Sequence, residues 1–386
     1  MVKTIAFSVA VILGLSACNS HQPPNRPSQT ASAPAGGNVA SGGFSNRELQ
    51  QFTALDPIDT HTHAYRSDPA FFAMLTRLNL HILDIELVDD RSPELKNLAA
   101  ETKAAWQVVR NSDGRAALCT TFDPFKFREP GFTRTAIAGL NQQFAQGAIA
   151  VKIWKNIGME IKDAKGNYIQ ADNPLFEPIY RDIAKHNKTL IAHLADPNSS
   201  WAPPNPASPD YSYYKEHPEW YMYGKAHPAS KQQILRARDH LVQENPKLRV
   251  VGAHLGSLEA DIPQLASDLD RFPNFAVDVA ARVPYLMLQP RAAMLAFITK
   301  YQDRLIYATD NDFLPKSNTA STIKDWEETY ARDWRFFATG DTLIYNGQKV
   351  QGLALPPEIL HKLYHDNAVR WFPGILRGSQ NGKVSP

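Results

Sequence analysis

Cysteine is almost absent: Cys18 and Cys119 are the two among 386 residues. No disulfide framework can be built from them, so a fold must rest on its hydrophobic core. Excess charge of one sign is missing too. Lys and Arg number 41 against 39 Asp and Glu, a net of +2, and the signs are interspersed. That balance gives no electrostatic basis for nucleic-acid binding. No internal repeat of about 20–50 residues is visible, which argues against solenoids and propellers. No Gly-rich phosphate turn follows the first strand-like run, which argues against an open dinucleotide-binding sheet. What is present, 43% hydrophobic and 21% charged residues, suits a soluble chain with a substantial core, as one large or two ordinary domains.

The first residues are a different material. Lys3 supplies a short positive start, and residues 5–15 form an apolar run too short to span a bilayer as a helix. The run ends in Leu15-Ser16-Ala17-Cys18, which resembles the lipobox of bacterial lipoproteins. That resemblance implies a signal peptide over 1–17, cleavage before Cys18 and lipidation of Cys18; an ordinary signal peptide cut at Ala17 is the plainer reading. Several acyl chains together anchor stably where one does not. Asn19 in the bacterial sorting pattern favours the outer membrane, so the expected place is the cell envelope, facing the periplasm. Residues 18–43, rich in Pro, Ser, Gly, Ala and Asn, cannot offset their ordering entropy and are expected to be a disordered tether. Residues 44–379 are expected to fold, with 380–386 a disordered tail. Cys119, in an apolar run, is expected as a buried small hydrophobe.

From residue 44 strand-like runs alternate with helix-like ones. The strands are expected at 57–63, 81–88, 116–122, 148–154, 189–194, 249–254, 275–280 and 305–310, mostly short and apolar like parallel strands covered on both faces. Between them Leu175, Phe176, Ile179, Tyr180 and Ile183 recur at helical spacing, as do Ile262, Leu265, Ala266 and Leu269. Asp68-Pro69 and Asn173-Pro174 mark helix starts. Eight such units predict an α/β fold, a (β/α)8 TIM barrel. Three connections, 155–174, 195–226 and 311–355, are long enough to lie over its C-terminal face. The second carries Trp201, Tyr211, Tyr213, Tyr214, Trp220, Tyr221 and Tyr223; a cover over the barrel mouth and a surface excursion packed by its own aromatics are equally open.

The residues with chemistry sit at strand ends. His61 and His63 lie two apart in Asp59-Thr60-His61-Thr62-His63, and in a strand such residues share a face. Lys152 lies in the fourth strand, His193 in the fifth, His254 in the sixth and Asp310 at the end of the eighth. Barrel active sites form at the C-terminal strand ends. Buried unpaired, such groups cost several kcal/mol, and a shared metal ion satisfies them together.

This pattern resembles the amidohydrolase superfamily, and within it the amidohydrolase-2 branch. The matching pieces are Asp59 to His63, Ala192-His193, Gly252-Ala253-His254-Leu255-Gly256, Tyr307-Ala308-Thr309-Asp310 and the closing segment 359–368. The resemblance implies that His61, His63, His193 and Asp310 hold one divalent metal, zinc first, leaving a position for water. The metal lowers the water's pKa, Asp310 relays the proton, and His254 hydrogen-bonds the water or polarises the substrate. In two-metal relatives the strand-four lysine is carboxylated, and Lys152 would then bridge a second ion; otherwise it stays an amine that binds substrate oxygen. The implied activity is a metal-dependent hydrolase cleaving an ester, lactone or amide of a small molecule. The alternatives are non-oxidative decarboxylation of an unsaturated or aromatic carboxylic acid, or a lipid-anchored binding protein that keeps the metal for structure.

Arg66, Lys155 and Arg282, just beyond strand ends, are candidates to clamp a substrate carboxylate or phosphate, and each reads equally as a loop charge. Trp220 is a further substrate-binding candidate. Asp278, inside an apolar run, is expected either to orient His254 or to cap backbone. His217 and His227 are expected to be exposed loop imidazoles. Nothing in the pattern sets an oligomeric state.

Overall fold

The computed structural model describes residues 42–376 apart from 92–96, 207, 209 and 346. The expected leader, Cys18, nearly all of the tether and the C-terminal tail lie outside the described residues. Among the described residues no helix is long and apolar enough to cross a membrane.

The strands are β1 (Ile58–Ala64), β2 (His81–Ile85), β3 (Ala116–Thr121), β4 (Ala150–Ile153), β5 (Thr189–Ala192), β6 (Arg249–Gly252), β7 (Phe275–Asp278), β8 (Leu305–Ile306) and β9 (Asn311–Phe313). They form one parallel sheet ordered β8-β7-β6-β5-β4-β3-β2-β1-β9. β9 follows β8 in the chain yet pairs with β1 at the opposite end of the order, so the sheet curls until its ends meet. Thr60 N donates to Tyr307 O (3.2 Å) and Asp310 N to His61 O (2.8 Å) across that seam. All eight expected strands are present and mostly shorter. β8 ends at Ile306: Tyr307 N donates to Leu363 O, and Asp310 has left the extended conformation (φ 67°). β9 lay inside an expected loop.

The interior of the curl follows from two-residue alternation. Ile58, Leu83, Cys119, Ala150, Ile191, Val251, Ala276 and Ile306, one from each of β1–β8, form a single buried cluster with Trp371 and Phe372. Cys119 is among them, as its apolar run implied. A second, larger cluster lies between the sheet and its surrounding helices. Each fully buried Ile or Leu contributes about 1.5–3 kcal/mol.

Helix starts follow local chemistry. Asp68 accepts from Ala70 N ahead of the helix Pro69–Arg77, and Asp261 accepts from Gln264 N ahead of Ile262–Arg271. Asn173-Pro174 does not open a helix directly. Asn173 holds a turn through Leu175 N, and the helix begins at Glu177.

Candidate metal centre

Counting two residues up each strand from the interior cluster gives the floor of the site. Ala150 leads to Lys152, Ile191 to His193 and Ala276 to Asp278, all buried. Strict alternation from Ile58 would instead turn Thr60 and Thr62 inward. The register against β2 slips between Asp59 and Thr62, and that irregularity re-aims β1 so that His61 and His63 face inside. His254 arrives by another route. Residues 254–257 all have φ near 60°, a left-handed turn costing roughly 1–2 kcal/mol for each residue other than glycine. Asp278 Oδ1 holds its start by accepting from His254 N (2.8 Å), and Ser257 Oγ holds its end by donating to Leu194 O (2.7 Å). Gly252 and Gly256 allow the close packing beneath, since a Cβ on Gly252 would lie 2.7 Å from the Phe275 ring.

Tautomers can be read from the partners. His63 Nδ1 is 2.8 Å from Ile85 O and His254 Nδ1 is 2.9 Å from Ala280 O. A carbonyl only accepts, so both rings carry a proton on Nδ1. His61 Nδ1 donates to Asp278 Oδ2 (3.0 Å), while its Nε2 accepts from Lys152 Nζ (2.9 Å). In these three neutral rings Nε2 carries a lone pair and no proton, and the one on His61 already accepts from Lys152. Nε2 of His61 and of His63 each lie 3.4 Å from Asp310 Oδ1. His61, His254 and Asp310 offer ligand atoms within 4.8 Å of one another. Asp310 Oδ2 and His193 Nε2, both buried, have no hydrogen-bond partner among the described residues. Lone pairs gathered so closely repel unless a cation lies among them, and the N/O donor set suits a divalent metal.

Of the four expected ligands, His61, His63 and Asp310 meet directly. His193 stands one step back, with Nδ1 3.2 Å from His254 Nε2 and Nε2 3.6 Å from Asp196 Oδ1. His254 thus lies nearer His61 and Asp310 than its expected outer role implied. Asp278 serves both the His61 ring and the His254 backbone.

Burial dominates the proton affinities. It lowers His61, His193 and His254 well below the usual imidazole value, and nearby positive groups add to it, Lys152 for His61 and His193 and the neighbouring imidazole for His254. It lowers Lys152 to about 8, partly opposed by Asp278 and Asp310.

The substrate-binding candidates divide. Arg282 is buried beside the imidazoles. Its Nε has no hydrogen-bond partner among the described residues, and Glu259 Oε2 is 3.8 Å away. Lys155 is buried and committed: Nζ donates to both Asp196 oxygens (2.9 Å each) and to Tyr213 Oη (2.7 Å). Trp220 is fully buried, with Lys155 Nζ 4.5 Å and Arg91 Cζ 4.3 Å from its ring centroid. Arg66 is directed elsewhere, to Pro315 O, Ser317 O and Thr319 Oγ1. His227 is exposed as expected, but His217 is buried, stacked near Tyr213 and 3.3 Å from Glu219. Asp59, Tyr330, Asp196 and Arg91 were not singled out from the sequence. Asp59 stood in the leading motif and could have been; Tyr330 lies in a long connection with no local signal.

A sequence model of the family described as Amidohydrolase matches residues 129–374. No curated protein matches the chain. Among solved structures, the chain is similar to a 2,6-dihydroxybenzoate decarboxylase from Rhizobium at 13% identity and TM-score 0.50, over 82% of this chain and 98% of that one. A 2,6-dihydroxybenzoate decarboxylase complexed with 2,6-dihydroxybenzoate gives the same identity, coverage and TM-score. A 5-carboxyvanillate decarboxylase from Novosphingobium aromaticivorans, complexed with manganese and a nitrobenzoic acid, has 14% identity and TM-score 0.47, over 89% of this chain and 99% of that one. With the family pattern matched over 246 consecutive positions and the imidazole–carboxylate cluster at the strand ends, this chain belongs to the amidohydrolase family.

Proposed function

We propose that this protein is a metal-dependent hydrolase cleaving an ester, lactone or amide bond of a small molecule that bears a carboxylate. One observation carries the reading: Asp310 has Oδ1 against two imidazole lone pairs while Oδ2 has no hydrogen-bond partner among the described residues. A divalent ion held by His61, His63 and Asp310, with His193 or His254 completing the set, supplies Lewis acidity and acidifies water at neutral pH. Zinc suits such a set first, and a second ion would require carboxylation of Lys152. Asp310 Oδ2 takes the proton of the attacking water and returns it to the leaving group. Lys152 holds the carbonyl oxygen of the scissile bond. The Arg282 guanidinium, buried with donor capacity to spare, binds the substrate carboxylate. Trp220 and Tyr213 of the 195–226 connection, packed on Lys155, exclude water from above.

Decarboxylation is the second reading, and Arg282 favours it equally: a buried guanidinium beside a metal centre fits an unsaturated or aromatic carboxylic acid that loses carbon dioxide and gains a proton at the same carbon. The Rhizobium fold relative is named for such a reaction. Purified protein offered aryl esters, lactones, amides and hydroxybenzoates, with titration of released acid and detection of carbon dioxide, separates the two. Acid release without carbon dioxide supports hydrolysis, and carbon dioxide release replaces it with the lyase. Turnover undiminished in Asp310→Asn would sink both. For localisation we propose an envelope lipoprotein anchored at Cys18; labelled palmitate absent from the protein expressed in a bacterial host refutes it.

A further inference from the structure

The reacting carboxylate is held on a left-handed turn of the backbone (φ 67°), and the structure contains a device for holding it there. We infer that Asp59, acting with Thr309 and Tyr330, is a positioning clasp that fixes the backbone at Asp310 and so aims its side chain at the imidazoles. This rests on the reading of Asp310 as the site carboxylate.

Asp59 is fully buried and accepts four hydrogen bonds. Oδ1 accepts from His61 N and Thr309 N, each at 3.1 Å. Oδ2 accepts from Thr309 Oγ1 (2.6 Å) and Tyr330 Oη (2.9 Å). Thr309 Oγ1 in turn accepts from Asn311 N (3.1 Å). Thr309, before Asp310, is therefore tied twice to one carboxylate, Asn311, after it, is tied to the Thr309 hydroxyl, and Asp310 N is tied to His61 O. Between those fixed points the chain turns through φ 67° at Asp310, a left-handed conformation that residues with a side chain adopt uncommonly, Asp more readily than most. A carboxylate is suited to four donors because it accepts at every lone pair. The amide of asparagine would aim an NH2 at two of them.

Two of the four bonds, those from Thr309 N and Oγ1, also close the sheet. Asp59 belongs to β1, and Thr309 follows β8, so the clasp lies on the seam where the ends of the sheet meet. Tyr330 brings in a third element, the helix Thr319–Ala338. Its ring packs among Phe52, Tyr307 and Trp326, so removal of the hydroxyl alone leaves the aromatic contacts in place. The long connection after β9 thereby contributes a polar contact behind the centre without touching it.

Asp59→Asn and Tyr330→Phe in the full chain test the clasp by two readouts. In metal-stripped protein, amide hydrogen exchange over residues 307–313 is expected to quicken at least tenfold in both variants, with the helices around the sheet unchanged. In protein reloaded with cobalt(II), both are expected to bind the ion about tenfold more weakly and to shift the visible ligand-field spectrum toward that of Asp310→Asn. Unchanged exchange and a wild-type spectrum in Tyr330→Phe would overturn the inference. So would a uniform loss of protection throughout the chain, the mark of a merely structural contact. If Asp59→Asn does not fold, Tyr330→Phe decides. Wild-type protein that takes up no cobalt would defeat the metal-dependent reading, and the exchange measurement would still judge the clasp.

Discussion

Two residues separate packing from charge in the energetics of this site. Gly252 lies under the left-handed turn that delivers His254, where an added Cβ would meet the Phe275 ring at 2.7 Å and Gly256 Cα at 2.9 Å. Gly256 Cα is backbone and cannot rotate away. Gly252→Ala is therefore expected to destabilise by about 1–3 kcal/mol, read as an earlier midpoint in urea with an unchanged slope. Glu86 tests charge. Burial raises its carboxyl from 4.5 to about 7, against a hydrogen bond from Thr120 that lowers it. The folded form thus holds its proton more tightly than the unfolded chain. Its contribution is fully present below about pH 4.5 and is lost as pH rises through about 7. Glu86→Gln keeps an acceptor for Thr120 and has no proton to lose. Its melting temperature is expected to match wild type near pH 4.5 and to exceed it increasingly up to pH 8, by an amount on the order of 3 kcal/mol. A difference independent of pH would show that Glu86 ionises alike in the folded and the unfolded chain, so that burial does not raise it.

At the scale of elements, periodicity carried most of what was legible. The succession of short apolar runs marked all eight strands, each covered on both faces, and picked out Lys152, His193 and Asp278 as polar residues within them. It could not show the register slip in β1 or the turn at 254–257, since both are departures from alternation set by tertiary packing. Nor could it find β9, three residues long and only partly apolar, inside the 311–355 connection. The aromatic segment is a further case. Its Trp and Tyr content was plain, but not the residue that grips it. Arg91, after β2, donates to both Asp89 oxygens (3.0 and 3.2 Å), lies 3.2 Å from Glu160 and 3.4 Å from Glu219, and covers the Trp220 ring. One guanidinium so joins the connections after β2, β4 and β5. Charge-assisted hydrogen bonds contribute about 1.5–3 kcal/mol each. Arg91→Ala is accordingly expected to speed amide exchange in residues 217–225 by at least tenfold while β1–β8 keep their protection. Equal protection in the variant would mean that the aromatics alone hold the segment down.

For the whole molecule, the metal and the fold should be one equilibrium. His61, His63, His254 and Asp310 come from three separate stretches of chain, so the unfolded polymer cannot present them together, and an ion that binds them stabilises only the folded state. With free ion at 100 times Kd the gain is about 2.7 kcal/mol. Removal of the ion also leaves the Nε2 lone pairs of His61 and His63 facing Asp310 Oδ1 at 3.4 Å with nothing but Lys152 Nζ, 2.9 Å from His61 Nε2, to reconcile them. Lys152 is held near neutrality by burial, to about 8, so above that pH it donates without bringing a full charge. Chelator should therefore lower the melting temperature by several degrees, and by more at pH 9 than at pH 7, where the ammonium stands in part for the missing cation. His63→Ala should start from the lower temperature and respond little to chelator at either pH, because its ion is already lost. A wild-type protein whose melting is indifferent to chelator at both values would show that the convergence of these residues is sustained by packing and hydrogen bonds alone.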